Sequence, residues 1–562
     1  MRAPLFVPGA LAIFALGIPI LCAPGAAAQT QAQSPARDVA ADAPARCAAL
    51  EKLQIANTVI SDAREIPNAR VIAPYGPQPG HCVVEGEINR HTGADGNQYG
   101  DKFELRLPDV WSGRFLFQGG GGLDGMVMPA VGRFGPPSSP LKTALARGYA
   151  VVSTDAGHEA KDRLDASFGS DPQARADYQY RSTDLVAGVA KKIVAAYYGR
   201  PDAHSYMAGC SNGGREAMIA AERYPADFDG IVAGDPAFNF LRAAIAEAWF
   251  SQKFAEIAPK DASGKPRLDR AFSDSDLALV SQAVLKACDA LDGLKDGMID
   301  NPDACRFHPA VLQCTGAKND SCLSAPQVRA LEVAFAGPKN SKGESLYSDW
   351  PWDAGIGAPG WRVWTLGTEK ISAINVGLYP QFVNHVALPP GEAPIASAFS
   401  FDFDADPPRM MKSAALIDAD STNLAAFRQR GGKMILYIGM SSPIFSANDL
   451  IRYYRRLAAA NGGIAGARQF ARLFRIPGMN HCAGGPALDA FDSLAAVQDW
   501  VEKGVAPESM IATGAAFPGR SRPLCAYPQI SRYKGSGSTD DASNFICQAP
   551  QRVRAGRDPG EP

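Results

Sequence analysis

Short apolar runs that close on glycine or a polar turn recur along this chain, separated by stretches with helical spacing. Arg114-Phe-Leu-Phe117 reads as a strand running into Gly119-Gly-Gly-Gly122, and Tyr149-Ala-Val-Val-Ser-Thr154 as another, ending on Asp155-Ala-Gly. Leu185 to Tyr198 has helical periodicity. Ser205-Tyr-Met-Ala208 leads into a glycine-rich turn, with a helix over Gly214 to Tyr224 behind it and a further strand at Gly230-Ile-Val-Ala-Gly234. Strand alternating with helix predicts an α/β fold, with a parallel sheet covered on both faces. From about Phe238 to Leu424 the rhythm disappears, and aromatics, four cysteines and an acidic turn take its place. It returns with the buried-strand pattern Gly432-Lys-Met-Ile-Leu-Tyr-Ile438, a helix over Asp449 to Ala460, a last strand Phe470 to Ile476 and a closing helix Leu488 to Glu502. The expected organisation is a core in two parts, 46–237 and 425–562, interrupted by a domain over 238–424. No internal repeat is present.

The N-terminus has a different pattern. Arg2 precedes the apolar run Leu11 to Ile20, and Gly25-Ala26-Ala27-Ala28-Gln29 follows. A positive head, an apolar stretch and small residues describe a secretory signal peptide over 1–28, cut between Ala28 and Gln29. A lipoprotein reading would use Cys22, but Leu21 is a poor small residue before it. Residues 29–45, rich in Ala, Gln and Pro, are expected to be a disordered linker.

Composition changes this picture little. At 562 residues the chain exceeds one simple core. It is 46% hydrophobic and 20% charged, with a net charge of −2 and no basic block, which argues against nucleic acid and against an electrostatic membrane anchor. Of eleven cysteines, ten remain after the signal. An even number in an exported protein implies a disulfide set.

The chemistry centres on Gly209-Cys210-Ser211-Asn212-Gly213, a G-x-S-x-G turn between a strand and a helix. That context is what a nucleophile elbow requires, with Ser211 clear of its own backbone and a helix N-terminus beneath the developing oxyanion. Of seven histidines, only His481 follows the last strand, in the order nucleophile, acid, histidine expected of a hydrolase sheet. Cys210 adjoins Ser211 and Cys482 adjoins His481. If the serine and the histidine meet, their neighbours come within disulfide reach, and the bridge would hold nucleophile and base together.

The serine and histidine with their flanking cysteines resemble the tannase and feruloyl esterase family of α/β hydrolases. The resemblance extends over Gly209 to Arg215, Gly230 to Asp235, Gly431 to Tyr437, Pro477 to Gly485, Cys288 to Gly293 and Arg522 to Ser536. It implies an α/β-hydrolase fold in which the inserted domain is a lid over the catalytic edge. It also implies the bridges Cys47–Cys82, Cys210–Cys482, Cys288–Cys305, Cys314–Cys322 and Cys525–Cys547. The oxyanion hole would combine the Asn212 N–H with one from the glycine loop, by resemblance Gly122.

At one position the chain departs from the family. The triad acid is expected after the strand ending Leu436-Tyr437-Ile438-Gly439, where the family reads Gly-x-x-Asp, but here Ser442 stands at that position. Losing the acid from a comparable triad costs about 10⁴ in kcat. Three readings remain open. The enzyme runs slowly on Ser211, His481 and the oxyanion hole; another carboxylate substitutes, Asp449 or Asp492, although each has a plain reading as a helix-start or surface residue; or the chain is an impaired hydrolase that binds ligand without turning it over.

The turn from Cys288 to Asp300 alternates carboxylates and glycines. Hard oxygen donors on a tight turn suit Ca²⁺, and the resemblance implies Asp289, Asp292 and Asp296 side chains with Leu294 and Met298 carbonyls as ligands of a structural calcium. No organic cofactor is implied. The expected partner is a small aromatic ester, with Trp364 against its acyl group. A terephthalate half-ester carries a free carboxylate and calls for a cation, yet Glu369 to Gln381 offers only Lys370, and Asn212 stands where another side chain would tune the acyl pocket. Feruloyl, galloyl or similar aryl esters are therefore the expected substrates, the terephthalate half-ester the alternative. Oligomeric state is not legible.

Overall fold

The computed structural model describes residues 42–550, apart from Phe134, Pro137, Ser138 and Arg163. The signal peptide and most of the linker lie outside the described residues. The linker ends earlier than expected: Ala43–Ala49 is helical, started by Pro44, and buries Ala43 and Cys47.

Nine strands form the central sheet: β1 (Thr58–Ile66), β2 (His81–Thr92), β3 (Gln98–Pro108), β4 (Arg114–Gln118), β5 (Tyr149–Thr154), β6 (His204–Cys210), β7 (Gly230–Gly234), β8 (Lys433–Gly439) and β9 (Ala471–Ile476). Their order is β1-β2-β3-β5-β4-β6-β7-β8-β9. The six strands β4 to β9 run parallel. The wholly parallel sheet expected from the sequence is corrected here, because β1, β2 and β3 add an antiparallel edge. That edge was missed because β2 is buried on both faces over its first half, so its residues show no clean alternation.

The parallel strands are largely apolar, with β5, β7 and β9 buried at every position, as strands covered on both faces must be. Helices Ser182–Tyr198, Asn212–Arg223 and Ala447–Ala460 pack on one face around Phe115, Phe117, Met207 and Leu436. Ser493–Lys503 covers the other around Tyr206, Ile435 and Trp500. This closing helix starts five residues later than expected because Asp492 caps it, accepting from the Ala495 N–H at 2.9 Å. Beyond it, two short hairpins (Ser509–Thr513 with Ser521–Cys525, Ile530–Tyr533 with Phe545–Gln548) complete the described chain.

Between β7 and β8 the chain adds no strand to this sheet. The insertion is helical, and its helices Phe240–Ala255, Asp274–Cys288, Ala325–Phe335 and Ile374–Phe382 share a core built on Phe250, Phe254, Phe335, Trp350 and Trp361. Each such side chain stabilises the fold by roughly 1.5–3 kcal/mol on burial. The same core takes in Ile444 and Phe445 from the loop after β8, which seats the insertion on the C-terminal edge of the parallel strands, where α/β sheets place their ligands. All five expected disulfides are present. Among the described residues no helix is long and apolar enough to cross a membrane.

Candidate active site

β6 ends at Cys210, and the helix Asn212–Arg223 starts two residues later. Between them Ser211 takes φ 64° and ψ −124°, a region that residues with a side chain avoid unless their surroundings hold them there. Its N–H donates to the Gly234 carbonyl at 3.0 Å, and its own carbonyl accepts from Arg215 at 3.0 Å and Ala237 at 3.1 Å. A Cβ on Gly209 would lie 2.5 Å from the Gly213 carbonyl carbon, and one on Gly213 would lie 2.7 Å from the Gly120 oxygen. The two glycines are thus required by close approach, of the elbow to itself and of the elbow to the glycine loop.

That loop is fixed from behind. The Gly120 N–H donates to Glu216 at 3.1 Å, and Gly122 sits at φ 65°. The Asn212 side chain, at the position where another side chain would tune the acyl pocket, is spent on its buried neighbours. It is 1% exposed, and its Nδ2 donates to Asp124 at 2.7 Å and Glu216 at 3.0 Å while its Oδ1 accepts from Arg215 at 2.7 Å. What Asn212 offers the site is its backbone N–H at the helix start. Arg215, fully buried, also donates to the Tyr178, Gln179 and Ile417 carbonyls and so anchors the helix Asn212–Arg223 to its surroundings.

His481 lies on the loop after β9 and lines the same cavity as Ser211, Gly122 and Trp364, a space of about 690 Å³. The Cys210–Cys482 bridge joins their neighbours, with 6.0 Å between Cα atoms. Trp364 and Phe445 stand edge-on to the imidazole at 5.4 Å. Enclosure pushes the His481 pKa down to about 3, because burial disfavours the imidazolium. The ring is therefore neutral, and its Nε2 has no hydrogen-bond partner among the described residues. Its Nδ1 faces the Ser442 hydroxyl at 3.5 Å.

The two carboxylates considered as substitute acids lie elsewhere. Asp449 lies in the first turn of the helix Ala447–Ala460, which Ser446 rather than Asp449 caps, and accepts from Asn239 at 3.1 Å; Asp492 caps its helix and pairs with Arg147 at 2.8 Å. Asp353, which sequence reasoning did not single out, is spent on Ser441 at 2.9 Å and on the Gly478 N–H at 2.7 Å. Asp235 was quoted only as part of a motif, yet its carboxylate accepts from the Gly439 N–H at 3.1 Å and the Cys482 N–H at 3.2 Å. Ser442, whose N–H donates to the Gly439 carbonyl at 3.1 Å, is among the groups that favour its ionised form. Three of the other six histidines are occupied elsewhere: His81 with Arg106, His91 with Asp171 and His158 stacked on Phe168.

The cavity wall is largely apolar. Trp364 lines it, as do Phe240, Leu378 and Phe445, whereas Trp361, Tyr379 and Phe382 belong to the lid core. Lys370 is exposed and does not line the cavity. A cation does line the wall, on a loop that sequence reasoning did not examine: Arg133, which donates to the Pro136 carbonyl at 3.0 Å.

In the acidic turn, Asp289 accepts from the Asp296 and Gly297 N–H groups, and Asp292 from those of Leu294 and Asp300. Burial and then the charges of Asp296 and Asp289 push Asp292 up to about 7, and burial also raises Asp296 and Asp300. Buried carboxylates on one loop, all oxygen donors, fit a hard divalent cation. Asp296 also pairs with Arg522. Among the described residues, three side chains that do bring ligand atoms within 4.8 Å of one another are Cys210, Asp235 and Cys482, both sulfurs being held in the disulfide; Asp289, Asp292 and Asp296 are not gathered so closely.

A serine on a strained strand-to-helix turn, a neutral histidine and a glycine loop around one cavity define a hydrolase of the α/β class. A family model for tannase and feruloyl esterase matches residues 82–548. The chain is 45% identical to mono(2-hydroxyethyl) terephthalate hydrolase of Piscinibacter sakaiensis over 88% of its length and 89% of the relative's. The crystal structure of feruloyl esterase B from Aspergillus oryzae superposes with a TM-score of 0.74 at 25% identity, covering 90% of this chain and all of that one. Tannin acyl hydrolase from Aspergillus niger shares the fold, with a TM-score of 0.68 at 20% identity over 92% of this chain and 95% of that one. The chain belongs to the tannase and feruloyl esterase family, and it is a carboxylic ester hydrolase.

Proposed function

We propose that this chain is an exported serine esterase that hydrolyses small esters of aromatic acids through an acyl-enzyme. Ser211 attacks the ester carbonyl, and His481 takes its proton at Nε2 and passes it to the leaving alcohol. The Gly122 and Asn212 N–H groups receive the oxyanion. Water, activated by His481, then frees the acid. The observation that carries this reading is Ser211 itself, a side-chain-bearing residue held at φ 64° in the cavity that His481 also lines. The apolar wall with Trp364 beside the imidazole favours an aromatic acyl group over an aliphatic one.

Arg133 favours a second reading of the substrate. A guanidinium on the cavity wall suits an acyl group with a second carboxylate, as in the terephthalate half-ester named for the 45% identical relative. The acidic turn holds a structural Ca²⁺ through Asp289, Asp292 and Asp296 with the Leu294 and Met298 carbonyls; its support is the oxygen donor set and the mutual repulsion of the carboxylates. Export is supported by the five disulfides.

The test is hydrolysis of methyl ferulate, methyl gallate and mono(2-hydroxyethyl) terephthalate by parent, Ser211→Ala and Arg133→Ala proteins, with a phosphonate probe for covalent labelling. Turnover and labelling that vanish in Ser211→Ala are the expected result. A Ser211→Ala protein that keeps the parent rate overturns the mechanism. A selective loss on the half-ester in Arg133→Ala decides for the second substrate reading.

A further inference from the structure

We propose that Asp235 is the acid of this site and acts on His481 through the hydroxyl of Ser442. The inference rests on the reading of Ser211 and His481 given above and supplies the member which that reading lacks. Ser442, 1% exposed, faces His481 Nδ1 at 3.5 Å. A hydroxyl that accepts from an N–H still has a proton to donate, and burial makes an acceptor for it obligatory. Asp235 is the carboxylate beside it: the Ser442 N–H donates to the Gly439 carbonyl at 3.1 Å, Asp235 accepts from the N–H of the same Gly439, and Ser442 is among the groups that favour the ionised carboxylate.

The sheet places Asp235 there. β7 pairs with β8 in parallel, Gly234 opposite Tyr437, so the residue after β7 emerges beside the end of β8. The Asp235 N–H donates to the Tyr437 carbonyl at 2.8 Å, and its carboxylate bridges two chain segments, one oxygen on the Gly439 N–H and the other on the Cys482 N–H. Ser442 is three residues from the first of these donors and His481 one residue from the second. Asp235 also takes φ 36°, the left-handed region that a side chain enters at a cost.

The two backbone contacts of Asp235 call for two acceptor oxygens, not for a full negative charge. Asp235 is 0% exposed, and no ion pair to it is found among the described residues. A buried carboxylate without a cation destabilises the fold. The cation it is built to face is transient, the imidazolium formed when Ser211 gives up its proton. At that moment Nδ1–H donates to Ser442 Oγ, Ser442 O–H donates to Asp235, and the carboxylate stabilises the positive charge across one hydroxyl. No proton leaves the imidazole along this path, so charge and atoms balance as in a direct triad. Asp235 is thus a positioning and charge-stabilising residue, not one that touches the substrate.

The experiment compares Asp235→Asn, Ser442→Ala, Ser442→Asp and the double variant Asp235→Asn/Ser442→Asp, reading kcat, KM and thermal unfolding of each. Asp235→Asn is expected to lower kcat by about 10–100-fold with KM unchanged, less than the roughly 10⁴ lost with a directly bonded acid. Ser442→Ala should cost about as much, and Ser442→Asp should raise kcat above the parent. In the Ser442→Asp background, Asp235→Asn should cost nothing and raise kcat further, since the acid then bonds the imidazole directly and no second carboxylate shares its proton. An equal loss in both backgrounds would make Asp235 merely structural and overturn the proposal, as would an unchanged kcat in Asp235→Asn. A second readout needs no turnover. The low-field ¹H resonance of His481 Nδ1–H should move upfield in Asp235→Asn, and an unmoved resonance also overturns the relay. If Ser211→Ala retains activity, the nucleophile assignment has failed, while this resonance still decides whether Asp235 acts on His481.

Discussion

The Cys210–Cys482 bridge closes 272 residues and sits one residue from both Ser211 and His481, so removing it should be felt twice. The perturbation is Cys210→Ala with Cys482→Ala. In the chain-entropy relation a loop of that length is worth about 5.6 kcal/mol at 25 °C. The nested Cys288–Cys305 and Cys314–Cys322 bridges span 17 and 8 residues and change that figure by only about 0.1 kcal/mol. The Cys314–Cys322 bridge is an internal control, because its short loop is worth about 2.5 kcal/mol. The second effect is local. Cys482 lies at φ 63° and gives its N–H to Asp235, so the bridge fixes the turn that aims the imidazole. A displacement of about 1 Å at a reacting group can cost about 10²-fold in rate. The assay is guanidinium unfolding under non-reducing conditions, with kcat measured at 25 °C, where both variants are folded. The expected result is a stability loss about 3 kcal/mol greater than for Cys314→Ala/Cys322→Ala, together with a kcat loss that the control lacks. A site variant that loses less stability than the control and keeps the parent kcat refutes the reasoning on both counts.

Other outcomes follow from the same geometry. Trp364→Ala should raise KM on aryl esters about 10-fold with a smaller effect on kcat, since the ring binds substrate and transition state alike; a change confined to kcat would instead give the indole a role in aiming His481. Asp235 is pushed up to about 7 by burial, with Tyr437 as a titratable neighbour, so kcat/KM should fall as pH drops below about 7, and Asp235→Asn should remove that limb while lowering the plateau. His481, at about 3, adds no limb in this range. Glu247, pushed up to about 8 by burial alone, keeps in the folded state a proton that the unfolded chain releases near 4.5. Stability should therefore fall between pH 5 and 8 by up to about 1.4 kcal/mol per pH unit for that proton, and Glu247→Gln should flatten this slope in denaturant titrations. Chelation should lower the thermal midpoint, calcium should restore it, and Asp292→Asn should blunt the response.

What could be read from the sequence and what could not divides along the range of the interactions. The elbow was legible because its requirements are local: glycines where Cβ atoms would collide, a strand before and a helix after. His481 was legible because it follows the last strand directly, and the staple because each cysteine adjoins a reacting residue. The acid was sought by the same local logic, near Ser442 and near His481, where Asp449 and Asp492 stand. In the fold both are spent on helix starts. Asp235 lies 204 residues before Gly439 and 247 before Cys482, the two N–H groups it accepts from, and along the chain it is only the residue that ends an apolar strand.

Sheet pairing brings that residue to the site. In a parallel sheet the ends of adjacent strands emerge side by side, so a carboxylate after β7 and one after β8 approach the same histidine from neighbouring positions. A chain with serine at the second position need not have lost its acid. It keeps the charge one strand over and spans the gap with a hydroxyl that can accept and donate at once. The arrangement makes a quantitative demand. A charge acting through an intervening hydroxyl stabilises the imidazolium less than one in contact, so Ser442→Asp should increase activity even though the parent already has an acid. That gain should shrink if the carboxylate of Asp235 is kept beside the new one, because two buried carboxylates in contact hold a proton between them. The fastest of the four proteins should therefore be Asp235→Asn/Ser442→Asp, which holds a single carboxylate, bonded directly to the imidazole.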